Sequence, residues 1–266
     1  MIRQASDEGV TEIIGFVLIM GLVAVVLFIM ALVVPPMTGA EMEGELALDT
    51  VEDISGLKYD MDLLWEDSTL PNVTRSVLIQ LSTPKRGIVS MLPVFTPTIG
   101  SATLTAERSD LQLLISGTDI TSLSGFVRLT YSTSNNYAAD AVVMYDTGAV
   151  FGGTRDVQSM ILAPSVGTGS DNSVLIVVPV WNGTGAGSSV SGNSFGVVAY
   201  LAGIGTNKTY LDVKNGTVSS GNSDVENAWN RMLSDAGLGT GNNIPKKVIV
   251  KSVPYRMSVS AQGAVP

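Results

Sequence analysis

An uncharged apolar run near the N-terminus constrains this chain more than any other feature of its sequence. The run extends from Ile13 to Val34 and contains 22 residues without a charged side chain. At about 1.5 Å per residue, a helix of this length covers roughly 33 Å, enough to cross a hydrocarbon core about 30 Å thick. A buried helix of a soluble protein is the alternative, but such helices seldom lack charge for so long. The sequence therefore predicts a transmembrane helix over residues 13–34.

The ends of the run predict how this helix is processed and where it stops. The run is longer than the roughly 7–15-residue core of a secretory signal peptide, and Val33-Val34-Pro35-Pro36 is a poor cleavage site. We therefore expect the helix to remain in the mature protein. Proline lacks an amide donor and restricts the residue before it, so the helix is expected to stop or kink at Pro35.

Residues on either side of the run predict its orientation. Arg3 precedes the run, and the first lysine after it is Lys58, so the Lys/Arg asymmetry favours an internal N-terminus. Four N-x-[ST] sequons follow the helix and are candidate N-glycosylation sites: Asn72, Asn182, Asn207 and Asn215. The expected topology is a single-pass cell-membrane protein with a cytoplasmic leader over residues 1–12 and an extracellular C-terminal domain.

Residues 35–70 are predicted to form an acidic amphipathic helical stalk. Apolar side chains between residues 41 and 67 recur at helical spacing and form one stripe: Met42, Leu46, Ile54, Leu57, Met61 and Leu64. Nine acidic residues, beginning with Glu43, occupy other positions, and we expect them to be solvated, with cation binding at a surface layer as the alternative. Two partners suit the stripe, namely the following domain and a neighbouring subunit, and packing on the domain is the more common arrangement.

Residues 71–266 have the pattern of a β-rich domain. Short segments rich in Val, Ile, Leu and Tyr alternate there with Gly, Asn, Asp or Pro. The candidate strands are Ser76–Ser82, Gly87–Leu92, Ala102–Glu107, Leu111–Ser116, Gly125–Thr133, Asp140–Tyr145, Ala149–Gly152, Ser159–Ala163, Ser173–Val180, Phe195–Leu201, Thr209–Val213 and Lys246–Val259. The fold class predicted is α+β, with an N-terminal transmembrane helix followed by a mainly antiparallel, sandwich-like β domain.

Several of these segments allow finer predictions. Val174–Val180 has no polar side chain and predicts a central strand, whereas the charges within Lys246–Val259 indicate a solvated edge strand. Alternation over Val127–Ser132 predicts a strand with one wet face. Asp224–Ala236 predicts one short helix capped by Ser223 or Asp224, and Gly237 follows its end.

Composition narrows the function classes. The net charge is −9 and no basic stripe is present, so nucleic-acid binding is not expected. The chain has no Cys and no His, which removes thiolate zinc sites, the usual general base and the commonest metal ligand. Because no spacing of Ser, Lys or carboxylates indicates catalysis, we predict no catalytic residue, no cofactor and no metal site. A membrane-anchored enzyme ranks last among the functions considered.

Ten residues that lead directly into the apolar run, Asp7-Glu8-Gly9-Val10-Thr11-Glu12-Ile13-Ile14-Gly15-Phe16, resemble the N-terminus of archaeal type IV pilin-like proteins. Ala141–Phe151 and Val225–Leu233 resemble segments of a membrane-anchored archaeal group. The resemblance implies a long N-terminal helix that carries a globular β domain, shaped like a lollipop. It also implies identical or related pilin-like subunits as partners. In filament-forming members a prepilin peptidase trims the leader, so the resemblance implies cleavage beside Gly9 and an assembly role for Glu12.

The chain departs from this pattern just before Gly9. Leaders that the peptidase trims usually carry a basic residue there, whereas this chain has Asp7 and Glu8. Two functions remain open: a trimmed structural subunit of an adhesion filament or cell envelope, and a non-polymerising, single-pass ectodomain that binds a ligand or an envelope partner. Glu12 also has two interpretations. It would pair with a neighbouring subunit's amino terminus in a filament, or lie at the membrane interface near the positive end of the helix dipole.

Overall fold

The computed structural model describes residues 4–66, 74–82, 97, 100–116, 120–169, 171–183, 187–192, 195–239 and 244–262. These residues form two helices, α1 (Gln4–Glu66) and α2 (Ser223–Asp235), and fifteen strands. The strands are β1 (Thr74–Gln80), β2 (Ser101–Arg108), β3 (Gln112–Ser116), β4 (Ile120–Leu123), β5 (Val127–Ser134), β6 (Val142–Asp146), β7 (Ala149–Gly153), β8 (Gln158–Leu162), β9 (Val166–Thr168), β10 (Ser173–Trp181), β11 (Ser188–Gly192), β12 (Phe195–Ala202), β13 (Thr206–Val213), β14 (Asn215–Ser219) and β15 (Lys246–Gln262). The prediction of a long apolar N-terminal helix followed by a mainly β domain is confirmed.

α1 is a single helix of 63 residues, which corresponds to about 95 Å. It continues through Pro35 and Pro36, so the helix does not stop there, which is one of the two outcomes expected at these prolines. The prolines remove the amide donors that would bond the carbonyl groups four residues earlier, yet only two bonds of a long ladder are lost. Two residues after Pro36, the Thr38 hydroxyl donates to the Val34 carbonyl oxygen at 2.9 Å, and the helix continues onto the β domain.

The strands form three sheets. Sheet A has the order β1-β12-β15-β10-β9, with β13 also paired to β15, sheet B has the order β11-β2-β5-β6-β7-β8, and sheet C is β14-β3-β4. Among the strand pairs that the structure describes, only β10–β15 is parallel. A parallel pair needs a long crossover, and here β11 to β14 and α2 lie in the chain between the two strands.

Two apolar cores contact opposite faces of the β6–β7 hairpin. Val143, Tyr145 and Val150 belong to the first core, which α1, sheet A and sheet B enclose. Met144 and Phe151 belong to the second core, which also contains residues of sheet C and α2. Neighbouring side chains of a strand point to opposite faces, so every residue of β6 is buried. The hairpin is therefore the layer that joins the two halves of the β domain.

β15 is a central strand, and its prediction as a solvated edge is wrong. It pairs with β10, β12 and β13, and its alternate side chains enter both cores. Val248 and Val250 lie in the second core, whereas Val253 to Val259 alternate into the first. Lys251 lies where the strand passes between the cores. Packing of the valines in the two cores therefore determines the position of the strand. The exposed charged side chains lie on the faces of β15 that point away from the cores.

Other predictions about single elements have mixed outcomes. β10 lies between β15 and β9, and β5 alternates buried and partly exposed residues, so both predictions are confirmed. α2 is capped by Asn222, not by Ser223 or Asp224, because the Asn222 side chain accepts from two first-turn amides at 2.9 and 3.3 Å.

Four strands were not predicted: β4, β9, β11 and β14. The candidate strand Gly87–Leu92 lies outside the described residues.

Candidate functional site: the apolar helix and its clasp

The N-terminal half of α1 presents large apolar side chains to the surroundings. Leu18 and Phe28 are 68% and 69% exposed, and between Ile13 and Val34 no side chain is buried against the β domain. A continuous apolar surface of this size is unfavourable in water and marks contact with lipid or another apolar partner. In the described part of the chain, one helix is long and apolar enough to cross a membrane, and it is this one.

The C-terminal half of α1 packs along the β domain through one face. Apart from Lys58, which is also buried, its buried positions follow one another at intervals of three or four: Gly39, Glu43, Leu46, Thr50, Ile54, Leu57 and Met61. The predicted stripe is therefore largely correct, although Met42 and Leu64 are only half-buried. Ile54, Leu57 and Met61 enter the first core, and burial of three such side chains contributes about 5–9 kcal/mol.

Glu43 attaches this packed segment to the β domain through its carboxylate. Oε1 accepts from the backbone N–H groups of Gly100 (3.0 Å) and Asn136 (2.9 Å). Oε2 accepts from those of Tyr137 (2.9 Å) and Ala138 (2.8 Å). The Glu43 side chain is 1% exposed, so these are buried charge-assisted hydrogen bonds. We call this carboxylate with its four donors the Glu43 clasp.

The electrostatics of the clasp favour an ionised carboxylate. Burial alone would raise the pKa of Glu43, but the four backbone donors outweigh burial and hold this pKa below its ordinary value. The expectation that Glu43 belongs to a solvated acidic face is therefore wrong. The sequence does contain a signal for the burial of Glu43. This residue precedes Leu46 by three and Ile54 by eleven positions, so it shares their helical face.

Two further contacts fix α1 near the two ends of its packed segment. At the first end, Gly39 lies against the Tyr137 ring, and a Cβ atom on residue 39 would overlap that ring. At the other end, the buried Tyr255 hydroxyl donates to the Met61 carbonyl oxygen at 2.8 Å. The helix is thus held to the loop after β5 and to β15 over more than five turns.

A second buried charge lies at the tip of the β6–β7 hairpin. Asp146 is fully buried, and its Oδ2 accepts from Arg128 Nε at 2.8 Å and lies 2.7 Å from Arg128 Nη2. The Thr147 hydroxyl donates to Asp146 Oδ1 at 2.7 Å, and Arg128 also pairs with Asp110. Burial raises the pKa of Asp146, and the guanidinium opposes that shift. Thr147 and Gly148 both have positive φ, 54° and 88°, as a two-residue hairpin turn requires.

The predicted site residues that the structure describes lie on separate elements of the chain. Gly9 and Glu12 lie within α1, and Glu12 is exposed. Asn182 is exposed just after β10, Asn207 is exposed within β13, and Asn72 lies outside the described residues. Asn215 is half-buried at the start of β14. With its amide nitrogen turned inward, it donates to the carbonyl oxygens of Lys214 (2.8 Å) and Gly239 (3.2 Å). Asn182 and Asn207 are thus better placed than Asn215 for a glycan.

The described residues contain no group of three or more His, Cys, Asp or Glu side chains placed to hold a metal ion. Comparison of the chain with protein-family models, curated proteins and solved structures finds no significant match. The features that distinguish the molecule are therefore its exposed apolar helix, the Glu43 clasp and the β domain that the clasp attaches.

Proposed function

We propose that this chain is a pilin-like archaeal surface protein, anchored in the cell membrane by the N-terminal half of α1. The observation that carries the proposal is the division of one continuous helix into two environments. Residues 13–34 expose an apolar surface, and residues 39–61 are packed against a β domain. That division matches the helix-and-head arrangement implied by the N-terminal motif from Asp7 to Phe16. The two sheets around the first core suit a sandwich-like head.

The proposed role is structural, in adhesion, in a filament or in the cell envelope. The N-terminus lies inside the cell and the β domain outside, as the position of Arg3 before the apolar run favours. Exposed Asn182 and Asn207 accept glycans in this orientation. Protease treatment of intact cells tests the orientation: the β domain is expected to be cut or released, and its full protection would contradict an extracellular location.

A non-polymerising ectodomain that binds a ligand or an envelope partner is the second candidate. Asp7 and Glu8 favour it, because they replace the basic residue that usually precedes the peptidase cleavage site. In this version α1 remains in the bilayer and no filament forms.

Mass spectrometry of the mature N-terminus separates the two candidates. An N-terminus at Gly9 or Val10 would support a trimmed filament subunit, whereas an intact Met1 or Ile2 would exclude it. The acidic residues predict an intact N-terminus for the natural sequence. The double variant Asp7→Lys/Glu8→Lys is expected to be trimmed when a prepilin peptidase is coexpressed, and Asp7→Asn/Glu8→Gln is the control without added positive charge. Equal trimming of the natural chain and the lysine variant would show that the acidic residues do not block the peptidase.

A further inference from the structure

We propose that the loop of residues 135–140 lies in the lipid headgroup layer and forms a membrane-contacting surface of the β domain. We call these residues, which join β5 to β6, the clasp loop. The inference rests on the proposed anchorage of α1 and adds a second contact between the protein and the bilayer. The partner is the headgroup layer of the membrane that α1 crosses.

Distance along α1 places the clasp loop near the bilayer. The apolar run ends at Val34, and Gly39, which contacts the Tyr137 ring, follows five residues later. Five residues of helix span about 7.5 Å, and each headgroup layer is about 5–8 Å thick. Tilting the helix can only reduce the depth difference between these two residues. Gly39, and the tyrosine packed on it, therefore lie within or at the outer boundary of the headgroup layer.

The attachment of the loop to the helix is too extensive for the domain to swing away from the membrane. Three consecutive loop residues, 136 to 138, donate their backbone N–H groups to Glu43. Beyond the clasp, Ile54, Leu57 and Met61 hold the same helix to the first core. Separation of the loop from α1 would expose a buried carboxylate and four unpaired amides, which is costly.

The side chains of the loop suit a polar interface rather than hydrocarbon. Asn135, Asn136 and Tyr137 carry amide and phenol groups, and tyrosine is enriched at the level of the headgroups. The strand register brings the β7–β8 loop to the same end of sheet B, because Ser132 pairs with Val142 and Val142 with Gly153.

The β7–β8 loop exposes Arg155 and Val157 at that end of the sheet, and Val157 is 69% exposed. Exposed acidic residues lie two positions either side of Glu43, in the clasp loop and in the β7–β8 loop: Glu41, Glu45, Asp140 and Asp156. Because these carboxylates oppose attraction to anionic lipids, the depth of the loop is determined by α1 and the clasp, and not by lipid charge.

The natural absence of cysteine allows the depth of single sites to be measured in the full chain. Nitroxide labels are placed on Phe28→Cys, Ala139→Cys and Ser76→Cys, all exposed positions in the apolar run, the clasp loop and β1. β1 lies near the far end of α1, where Arg75 pairs with Asp60. The chain is reconstituted in phosphatidylcholine vesicles, with and without phosphatidylglycerol, and collision of each label with oxygen and with a water-soluble nickel chelate is compared.

We expect the Phe28 label to collide mainly with oxygen, the Ser76 label mainly with nickel, and the Ala139 label to show the intermediate ratio of the headgroup layer in both lipid mixtures. An Ala139 ratio equal to that of Ser76, with Phe28 still in the bilayer, would overturn the inference and leave the anchorage intact. An Ala139 ratio equal to that of Phe28 would also overturn it. A nickel-accessible Phe28 label would contradict the proposed anchorage itself.

Discussion

Replacing Glu43 by glutamine is expected to destabilise the β domain by about 3–5 kcal/mol. The glutamine oxygen can accept from two of the four backbone donors in the clasp, and its amide group would face the other two. Two buried N–H groups would then lack acceptors, and the charge that strengthens all four hydrogen bonds would be lost. Urea unfolding of the full chain in detergent, with hydrogen exchange of residues 135–140, measures both consequences.

Glu45→Gln is the matched control for this substitution. Glu45 lies two residues further along α1 and is exposed, so its replacement should change stability by less than about 0.5 kcal/mol. Faster exchange at the amides of Asn136, Tyr137 and Ala138 is expected only in the Glu43 variant. Equal unfolding midpoints for the two variants would contradict the stabilising role assigned to the Glu43 clasp.

The stability difference between the natural chain and the Glu43→Gln variant should depend on pH with a definite sign. The pKa of Glu43 is lower in the folded chain than its ordinary value, so folding favours the ionised carboxylate. The stabilisation is fully present above the unfolded-state pKa of about 4.3, and it is lost as the pH falls through the lower folded-state pKa. The stability difference between the natural chain and Glu43→Gln should therefore be constant from pH 5 to 7 and shrink below about pH 4.

Replacing Arg128 by alanine is the second substitution with a large expected effect. It would leave Asp146 buried in the hairpin without its cation, and loss of one partner of such a pair costs about 3–5 kcal/mol. Loss of this ion pair should also weaken the packing of both cores, because Asp146 is the last residue of β6, the strand that lies between them. Thermal or urea unfolding followed by tryptophan fluorescence and circular dichroism provides the measurement.

Arg108→Ala is the control for Arg128→Ala, since Arg108 is exposed at the end of the neighbouring strand β2. The double variant Arg128→Met/Asp146→Asn should recover part of the lost stability, because it removes the unpaired charge together with its partner. If Arg128→Ala unfolds at the same urea concentration as Arg108→Ala, the buried ion pair is not needed to hold the hairpin.

The helices and strands that the sequence predicts correctly are those whose own apolar side chains recur with the spacing of that element. α2 and β10 are examples, since each has an apolar pattern that agrees with its final surroundings. β15 was misplaced because its lysines and arginine resemble an edge, whereas the valines between them pair with strands on both sides. β9 has only three residues and β11 consists mostly of Ser and Gly, so neither has a strong intrinsic preference, and each forms where a partner strand is available.

Local sequence alone determined that residues 13–34 form an apolar helix long enough for a bilayer, because length and lack of charge need no tertiary partner. Only the tertiary structure decided that this helix continues through Pro35 and Pro36 onto the β domain. It also decided that Glu43 is buried, because the four amides that stabilise this carboxylate come from residues 57 to 95 positions away in the chain. Helical spacing places Glu43 on the same face as Leu46, but the identity of its distant donors leaves no mark in the sequence, and these donors attach the helix to the domain.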